Sequence, residues 1–390
     1  MAEIDDAERS FPPAKRQRAA PEHEYQGNEA MVLYKVDDMR LVPWPMPEAG
    51  ADECVVEVHK VGICGSDVHY WKDGRIGHFI VREPMVIGHE SAGVVISVGK
   101  DVTNVKAGDR VAMEPGVPCD ACAQCTSRRY NLCPVLTGMR APRGRQGFFA
   151  TPPVHGSMAK YVAHPARFCF QLPEGVSLEE GAMCEPLSVG VYACEQKAKV
   201  SAGSTVLVFG AGPIGTICAM VANGLGAKTV ILCDVRDDRL NYCREQCCQV
   251  TTLNTQDMSA EEASNAILKL TGGEQVDSTV ECTGAEVCMQ TGIRCTKNGG
   301  VVCFVGLGAK EPKLPMLDAS LREVDLVGVF RYRYTYPKCI EMLAEKKVDV
   351  LPLITHRYSF TNESVLEAFE TCRTGRDGSI KCMIEIAKQT

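Results

Sequence analysis

Nowhere in the 390-residue chain do 18 consecutive uncharged apolar residues occur, which excludes a membrane helix of ordinary length. A charged start followed by an apolar h-region is missing too, so the expectation is a cytoplasmic protein with no membrane partner. Basic charge is not in excess: Lys and Arg number 42 against 49 Asp and Glu, a formal net charge of −7. A surface that tracks phosphates needs the opposite balance, so the expected partners are small molecules and not nucleic acid. Aromatic residues are scarce at 6%, whereas 35 glycines and 21 prolines supply turns, as in ordinary globular α/β proteins. Cysteine breaks this pattern of scarcity. Its 21 copies, odd in number and scattered from Cys54 to Cys382, do not form a secreted disulfide framework and point to a reducing compartment.

The length exceeds one ordinary core and predicts two domains, or one with an insertion. Residues 1–28 are charged, Pro-containing and without hydrophobic period, which predicts a mobile tail. Its Lys15-Arg16-Gln17-Arg18 is either a nuclear address or, more simply, solvated charge. From Met31 to about Val111, short runs such as "CVVEVHKVGI" and "SAGVVISVG" are punctuated by Gly and Pro, predicting a small barrel-like β domain. The stretch that follows, to Gly147, reads as loop. After about Ser201, "TVLVFG", "TVILCDV", "VDSTVECTG", "GGVVCFVG" and "DLVGVF" alternate with helical stretches, the pattern of a doubly wound parallel sheet. Beyond Tyr332 the chain returns to mixed α and β, so the sheet domain is expected as an insertion within the first. No internal repeat is present.

"VLVFGAGPIG" sets Gly210, Gly212 and Gly215 in GxGxxG spacing between a buried strand and an apolar helix. Such glycines permit a tight turn, close approach to a pyrophosphate and close helix-on-strand packing, with phosphate at the helix N-terminus. The next strand ends in Asp234, nineteen residues past Gly215, where a carboxylate accepts from ribose hydroxyls. An acid there repels a 2′-phosphate, so NAD is expected over NADP. Arg239, near the ribose side, is the contrary sign.

"CDACAQCTSRRYNLC" places Cys119, Cys122, Cys125 and Cys133 as C-x2-C-x2-C-x7-C. Four thiolates in one loop close a tetrahedral zinc shell with no open position; an iron–sulfur cluster uses a similar run, but nothing else in the sequence calls for electron transfer. A second constellation is spread wider. "GICGSDVHYW" offers Cys64, Ser66, Asp67 and His69 in one loop, and "VIGHESAG" offers His89 followed by Glu90. Thiolate, imidazole and carboxylate together suit zinc, although a satisfied structural histidine and an ordinary buried thiol are equally compatible with the spacing.

Together with "FFATPPVHGS", "CEPLSVG", "ECTGAE", "REVDLVGVFRY" and "PLITHRYSF", these motifs resemble the zinc-dependent medium-chain dehydrogenases, in particular their sorbitol (polyol) dehydrogenase branch, from about Val32 to Ile386. The resemblance implies a GroES-like β-rich catalytic domain at 29–187 and 332–390, with a structural zinc lobe at 116–134, and a Rossmann NAD-binding domain at 188–331. It also implies one catalytic and one structural Zn2+ per chain, the former at the cleft between the domains, and a homotetramer. Carried over by position, Cys64, His89 and Glu90 are zinc ligands. In "MCEPLSVG" the alcohol dehydrogenase relatives place a ligand five residues before a glycine; counting back from Gly190, that is Glu185 and not Cys184. Glu185 then touches the metal or holds its water, and Cys184 is a packing thiol. The resemblance puts Tyr70, Glu185, Arg331 and Tyr332 beside the substrate. It puts Ile214, Arg239, Val305, Gly306, Leu307, Val329, Phe330 and Arg331 beside the cofactor.

The implied reaction is reversible oxidation of a polyol to a ketose: zinc acidifies a hydroxyl, a hydride passes to nicotinamide, and the proton leaves through Ser66 and His69 or through water held by Glu185. Asp67 is expected to orient a ligating imidazole. Each supporting residue also has a plainer assignment, with Tyr70 as a core aromatic and His69 as a surface histidine. Arg331, ending an apolar strand, is expected to meet a cofactor or substrate oxygen. Two departures stand out. "PVLTGMRAPRGRQG", between Cys133 and Phe148, is basic and about ten residues longer than the family's usual link, which costs little stability; and Tyr334 stands where a small amide is common. The rival readings are a zinc dehydrogenase for a simple alcohol or threonine, and a non-catalytic NAD- and zinc-binding protein.

Overall fold

The computed structural model describes residues 27–387. Most of the expected tail, including Lys15-Arg16-Gln17-Arg18, lies outside the described residues. Its last residue is not tail-like: Asn28 is buried, donates through Nδ2 to the Pro45 carbonyl at 2.9 Å and accepts from the Tyr161 N–H at 3.1 Å. Two compact units form, one from the residues up to Glu185 together with Ile354 onward, the other from Pro186–Leu353.

A seven-stranded sheet organises the first unit. Its order is Cys169–Gln171, Arg110–Met113, Glu90–Val98, Glu53–Gly62, Lys381–Glu385, Ile354–Ser359, with Tyr161–Pro165 added to Glu53–Gly62. These pairings are antiparallel except that of Ile354–Ser359 with Lys381–Glu385. The Val-rich strand Glu53–Gly62 is buried along almost its whole length, which β-branched side chains on a covered pleat favour. Its Val56, Val58 and Val61 share one core with Met31, Met113 and Phe369. A helix, Gly65–Asp73, carries Ser66, Asp67, His69 and Tyr70, which the motif alone placed in a loop. Its cause is local: Asp67 accepts from the Cys64 N–H at 3.1 Å in a capping box, and Gly74 ends it at φ 66°.

The second unit holds a six-stranded sheet ordered Thr251–Asn254, Thr229–Asp234, Thr205–Phe209, Val276–Glu281, Thr296–Phe304, Asp325–Gly328, parallel throughout. Numbered along the unit, this is the 3-2-1-4-5-6 Rossmann order, whose switch point lies beside Thr205–Phe209. Five of these strands carry the apolar runs that announce them. Thr251–Asn254 does not; it is a polar edge strand, and its residues are partly or fully exposed. The unit continues through Tyr332–Leu353, beyond the boundary expected at 331, because that segment is tied to it: the Tyr242 hydroxyl donates to the Pro352 carbonyl at 2.7 Å, and Cys339 Sγ lies 3.4 Å from Ser188 Oγ. The last strand stops at Gly328, so Arg331 does not end it but lies in a bend at φ 52°.

Candidate active site

Register brings the first group together. Gly62 pairs with Glu90 across two antiparallel strands, so Cys64, just beyond the first strand, meets the His89–Glu90 dipeptide at the start of the second. One ligand atom from each of Cys64, His89 and Glu90 lies within 4.8 Å of the other two. Only glycine fits at 62, since a Cβ there would stand 2.2 Å from Glu90 Oε2. Asp67, fully buried, accepts from the N–H groups of Cys64 at 3.1 Å and Gly88 at 3.2 Å. Its Oδ1 is 3.3 Å from His89 Nδ1, an electrostatic contact rather than a formed hydrogen bond, for that nitrogen is buried without a hydrogen-bond partner. Burial lowers the proton affinity of His89, but the Asp67 charge and then Cys64 outweigh it and hold the imidazole well above 6.5. A cluster that draws positive charge inward, built from thiol, imidazole and carboxylate, fits a zinc ion.

Two further groups were not anticipated. Lys381, almost fully buried, donates to both Glu90 oxygens at 2.7 and 2.8 Å and to the Ile63 carbonyl at 3.1 Å. Each carboxylate oxygen keeps a second lone pair, so pairing with Lys381 and ligation of a metal are compatible. The visible signal is a lysine inside the apolar run "IKCMI", which demands a buried partner. Glu114, at the end of Arg110–Met113, is buried and receives the Tyr130 hydroxyl at 2.5 Å. Burial pushes its carboxyl up to about 8, the Tyr130 hydrogen bond opposes this, and the charge of Glu185 adds to it.

Glu185 is nearly buried, at 5% exposure, in the first turn of Cys184–Val191, outside the 4.8 Å group formed by Cys64, His89 and Glu90 among the described residues. Cys184 is fully buried and its thiol points to the Glu180 carbonyl at 3.6 Å. Ser66 is half-buried beside Cys64, one helical turn from His69. His69 is exposed and paired to Asp73 at 2.8 Å, whereas Tyr70 is 3% exposed and belongs to the core. In the lobe, the four sulfurs of Cys119, Cys122, Cys125 and Cys133 lie within 4.8 Å of one another. A tetrahedron with Zn–S of about 2.3 Å has edges of roughly 3.8 Å, so these thiols fit such a shell.

In the second unit Gly212 caps Pro213–Gly224 behind Thr205–Phe209, and a Cβ on Gly215 would lie 1.7 Å from the Gly210 carbonyl oxygen. That contact is why the helix carrying Ile214 packs so tightly on the turn. Asp234 accepts from the Ala211 N–H at 2.6 Å and the Arg236 N–H at 2.9 Å. Arg239 Nη1 comes within 3.9 Å of a Cβ position at Gly212, placing the guanidinium at the glycine turn. Glu281, buried and not singled out in the sequence, accepts from the N–H groups of Thr283 and Gly284; its carbonyl takes those of Val305 and Gly306 at 2.8 and 3.0 Å. Leu307 is 85% exposed, and the Val329 N–H bonds the Phe304 carbonyl at 3.0 Å. Arg331 lies over the Phe330 ring at 5.0 Å, and Tyr332 is buried against Tyr336.

Comparison with known proteins agrees with these two units. Residues 50–174 match the family described as alcohol dehydrogenase GroES-like domain, and 213–345 that described as zinc-binding dehydrogenase. A sorbitol dehydrogenase from Arabidopsis thaliana is 45% identical over 92% of this chain and 95% of its own. An L-idonate 5-dehydrogenase from Vitis vinifera is 44% identical over the same shares. A crystal structure of an Escherichia coli oxidoreductase of unknown specificity superposes with a TM-score of 0.83 at 31% identity, over 93% of this chain and 99% of that one. The chain belongs to the zinc-dependent medium-chain dehydrogenases, in their sorbitol dehydrogenase branch.

Removing one partner of a buried ion pair typically costs about 3–5 kcal/mol. Lys381→Met is expected to lose that order of stability in metal-free protein, with part of it regained on adding zinc, as followed by denaturant unfolding with and without the metal. Glu114 gives a pH signature. From its ordinary 4.5 to about 8 the folded chain keeps a proton that the unfolded chain releases, so stability falls as pH rises through that window, by up to about 1.4 kcal/mol per unit. Unfolding curves of Glu114→Gln across the same range are expected to be flatter than those of the unaltered protein.

Proposed function

We propose that the chain reversibly oxidises a polyol of the sorbitol, xylitol or L-arabinitol type to the corresponding ketose, with zinc and NAD as cofactors. The observation that carries this is the cluster of half-buried Cys64 with buried His89 and Glu90 at the register point of two strands. The names of the relatives, sorbitol dehydrogenase and L-idonate 5-dehydrogenase, support a polyhydroxylated substrate. When bound, zinc supplies Lewis acidity toward a substrate hydroxyl and NAD a hydride acceptor.

The chain's own groups do the rest. Cys64, His89 and Glu90 hold the metal, Asp67 steadies the imidazole, and Lys381 fixes the carboxylate it pairs with. Glu185 is the fourth group, as ligand or as acceptor for water or a polyol hydroxyl, and Ser66 starts the proton's way out. His69, engaged with Asp73 at the surface, is its last station. Tyr70, Arg331 and Tyr332 are assigned to substrate by resemblance. A site whose polar groups expect several hydroxyls rejects a simple alcohol, because those groups would be left unpaired.

On the dinucleotide side, Gly210, Gly212, Ile214 and Gly215 cradle the pyrophosphate, and Val305, Gly306, Leu307, Val329 and Phe330 line the nicotinamide half. Asp234 favours NAD over NADP. The position of Arg239 at the glycine turn supports a pyrophosphate role for it, so its charge needs no 2′-phosphate. A second, structural zinc in the thiol lobe, a homotetramer and a cytosolic place complete the proposal.

The deciding assay runs sorbitol, xylitol, L-arabinitol, galactitol, ethanol and threonine with NAD and with NADP. Polyols with NAD are expected to give the highest kcat/KM, and a preference for ethanol or threonine would overturn the assignment. Cys184→Ala is expected to keep zinc and most activity, whereas Glu185→Ala cripples turnover by about a hundredfold or more, the scale of losing one transition-state partner. Metal content and steady-state rates check the pair, and the reverse pattern would make Cys184 the functional group.

A further inference from the structure

Cys243, Cys247 and Cys248 gather in the second unit, and no step of the proposed reaction uses them. They close the helical run that begins at Asp237, just before the edge strand Thr251–Asn254.

Local backbone brings the sulfurs together. Cys243–Cys247 is a wide turn, and the Cys248 N–H reaches back five residues to the Cys243 carbonyl at 3.1 Å. Cys248 itself is extended, at φ −160° and ψ 163°, and its Sγ lies 3.6 Å from Cys243 Sγ. Both flanks are tied down. The Tyr242 hydroxyl donates to the Pro352 carbonyl at 2.7 Å, and Asn223 Nδ2 to the Gln249 carbonyl at 2.9 Å.

Exposure divides the three thiols. Cys243 is fully buried, whereas Cys247 and Cys248 are half-buried behind exposed Arg244, Glu245 and Gln246. A small solute therefore meets Cys248 with Cys243 directly behind it. Contacts from Cys247 and then Cys248 draw the Cys243 thiol well below its ordinary 9, although burial opposes them. The contact with Cys243 pushes the Cys248 thiol up. One proton thus lies between two sulfurs, and Cys243 can take it when Cys248 reacts. A partly exposed sulfur backed by a thiolate suits oxidation followed by capture.

Other close pairs lack this arrangement. Cys54 and Cys169, 3.4 Å apart, are both buried, and Cys122 with Cys125 belongs to the lobe. Cys247 and Cys248 are joined by a trans peptide, which holds their Cα atoms about 3.8 Å apart. A disulfide spans roughly 4.4–6.8 Å between Cα atoms, so this pair closes only with strain.

We propose that Cys243 and Cys248 form a redox modification site, which a small hydroperoxide converts to an intramolecular disulfide. Cys248 Sγ attacks the O–O bond as its proton passes to Cys243 Sγ. The leaving alkoxide takes that proton and departs as the alcohol, or as water where the oxidant is hydrogen peroxide. Cys243 Sγ, again a thiolate, attacks the sulfenyl sulfur of Cys248, and hydroxide leaves, protonated by solvent to water. Two electrons pass from the sulfur pair to the peroxide. The sulfurs need only close from 3.6 Å to about 2.05 Å, and a dithiol reopens the bond by exchange.

The test treats the reduced full chain, with zinc and NAD bound, with one equivalent of hydrogen peroxide. Remaining thiols are then alkylated and mapped by peptide mass spectrometry. The expected first product is a Cys243–Cys248 disulfide that dithiothreitol removes. Cys248→Ser is expected to slow loss of the Cys243 thiol by about tenfold or more. Cys243→Ser is expected to stop Cys248 at a sulfenic acid, which dimedone labels. Cys247→Ser is expected to keep the disulfide, and its loss there would make Cys247 the partner and overturn the pair. A first disulfide elsewhere, in the lobe or between Cys372 and Cys382, overturns the proposal. So does an unchanged Cys243 rate in Cys248→Ser, or an unlabelled Cys248 in Cys243→Ser. Because the readout is a map of thiols, the outcome is independent of whether polyols are the substrate.

Discussion

The first unit turns on the ion pair of Glu90 with Lys381, whose side chains are 1% and 4% exposed. The two residues start strands on opposite sides of Glu53–Gly62, and the missing side chain of Gly62 leaves the space through which they meet. Burying two charges is unfavourable unless each is fully partnered. Here Lys381 spends its donors on both Glu90 oxygens and the Ile63 carbonyl, and Glu90 stands within reach of Cys64 and His89. The constraint also explains the chain's course. A segment after residue 353 must return to the first unit, because it carries the cation that makes a buried Glu90 tolerable.

A second chain of contacts links the thiol lobe to the acidic side of the same unit. Tyr130 lies between Cys125 and Cys133, is buried, and gives its hydroxyl to Glu114. Glu114 in turn feels the charge of Glu185. Two carboxyls thus share one region with different tasks: Glu114, deeply buried and held by a phenol, favours its neutral form, which spares Glu185 a like charge beside it. Fixing the lobe fixes Tyr130, and through it the electrostatic surroundings of Glu185. A rearrangement of the lobe would therefore be felt at Glu185 as well as in the loop itself.

How far these features were legible depends on whether their cause is local. The parallel strands are covered on both faces, so Val, Ile and Leu run continuously and announce them; the edge strand Thr251–Asn254 is polar and gives no such signal. The four lobe cysteines close within one loop, so their spacing carries the site. Helix Gly65–Asp73 has no apolar period because it is set by the Cys64–Asp67 cap, and that cap is visible only once the helix is known. Cys64 and the His89–Glu90 pair are joined by strand register, which neither motif contains. Lys381 lies hundreds of residues from Glu90, and only its position inside an apolar run hints at a partner.

The link after Cys133 fits the same account. Length and basic charge mark it as a departure, but a loop of that composition is ordinarily solvated. What sets it apart is tertiary: Gly138 against Phe79, His78 on the Thr137 carbonyl and Arg145 on Glu53 hold it as a wall. Phe148 then has two neighbours, the His89 imidazole with its ring centroid 5.6 Å away and the link itself, whose Leu136 and Gly138 line the same cavity as Phe148. A close-packed aromatic cannot shift for one without moving against the other. Any movement of the link that shifts Phe148 is therefore carried to the ring packed nearest the His89 imidazole.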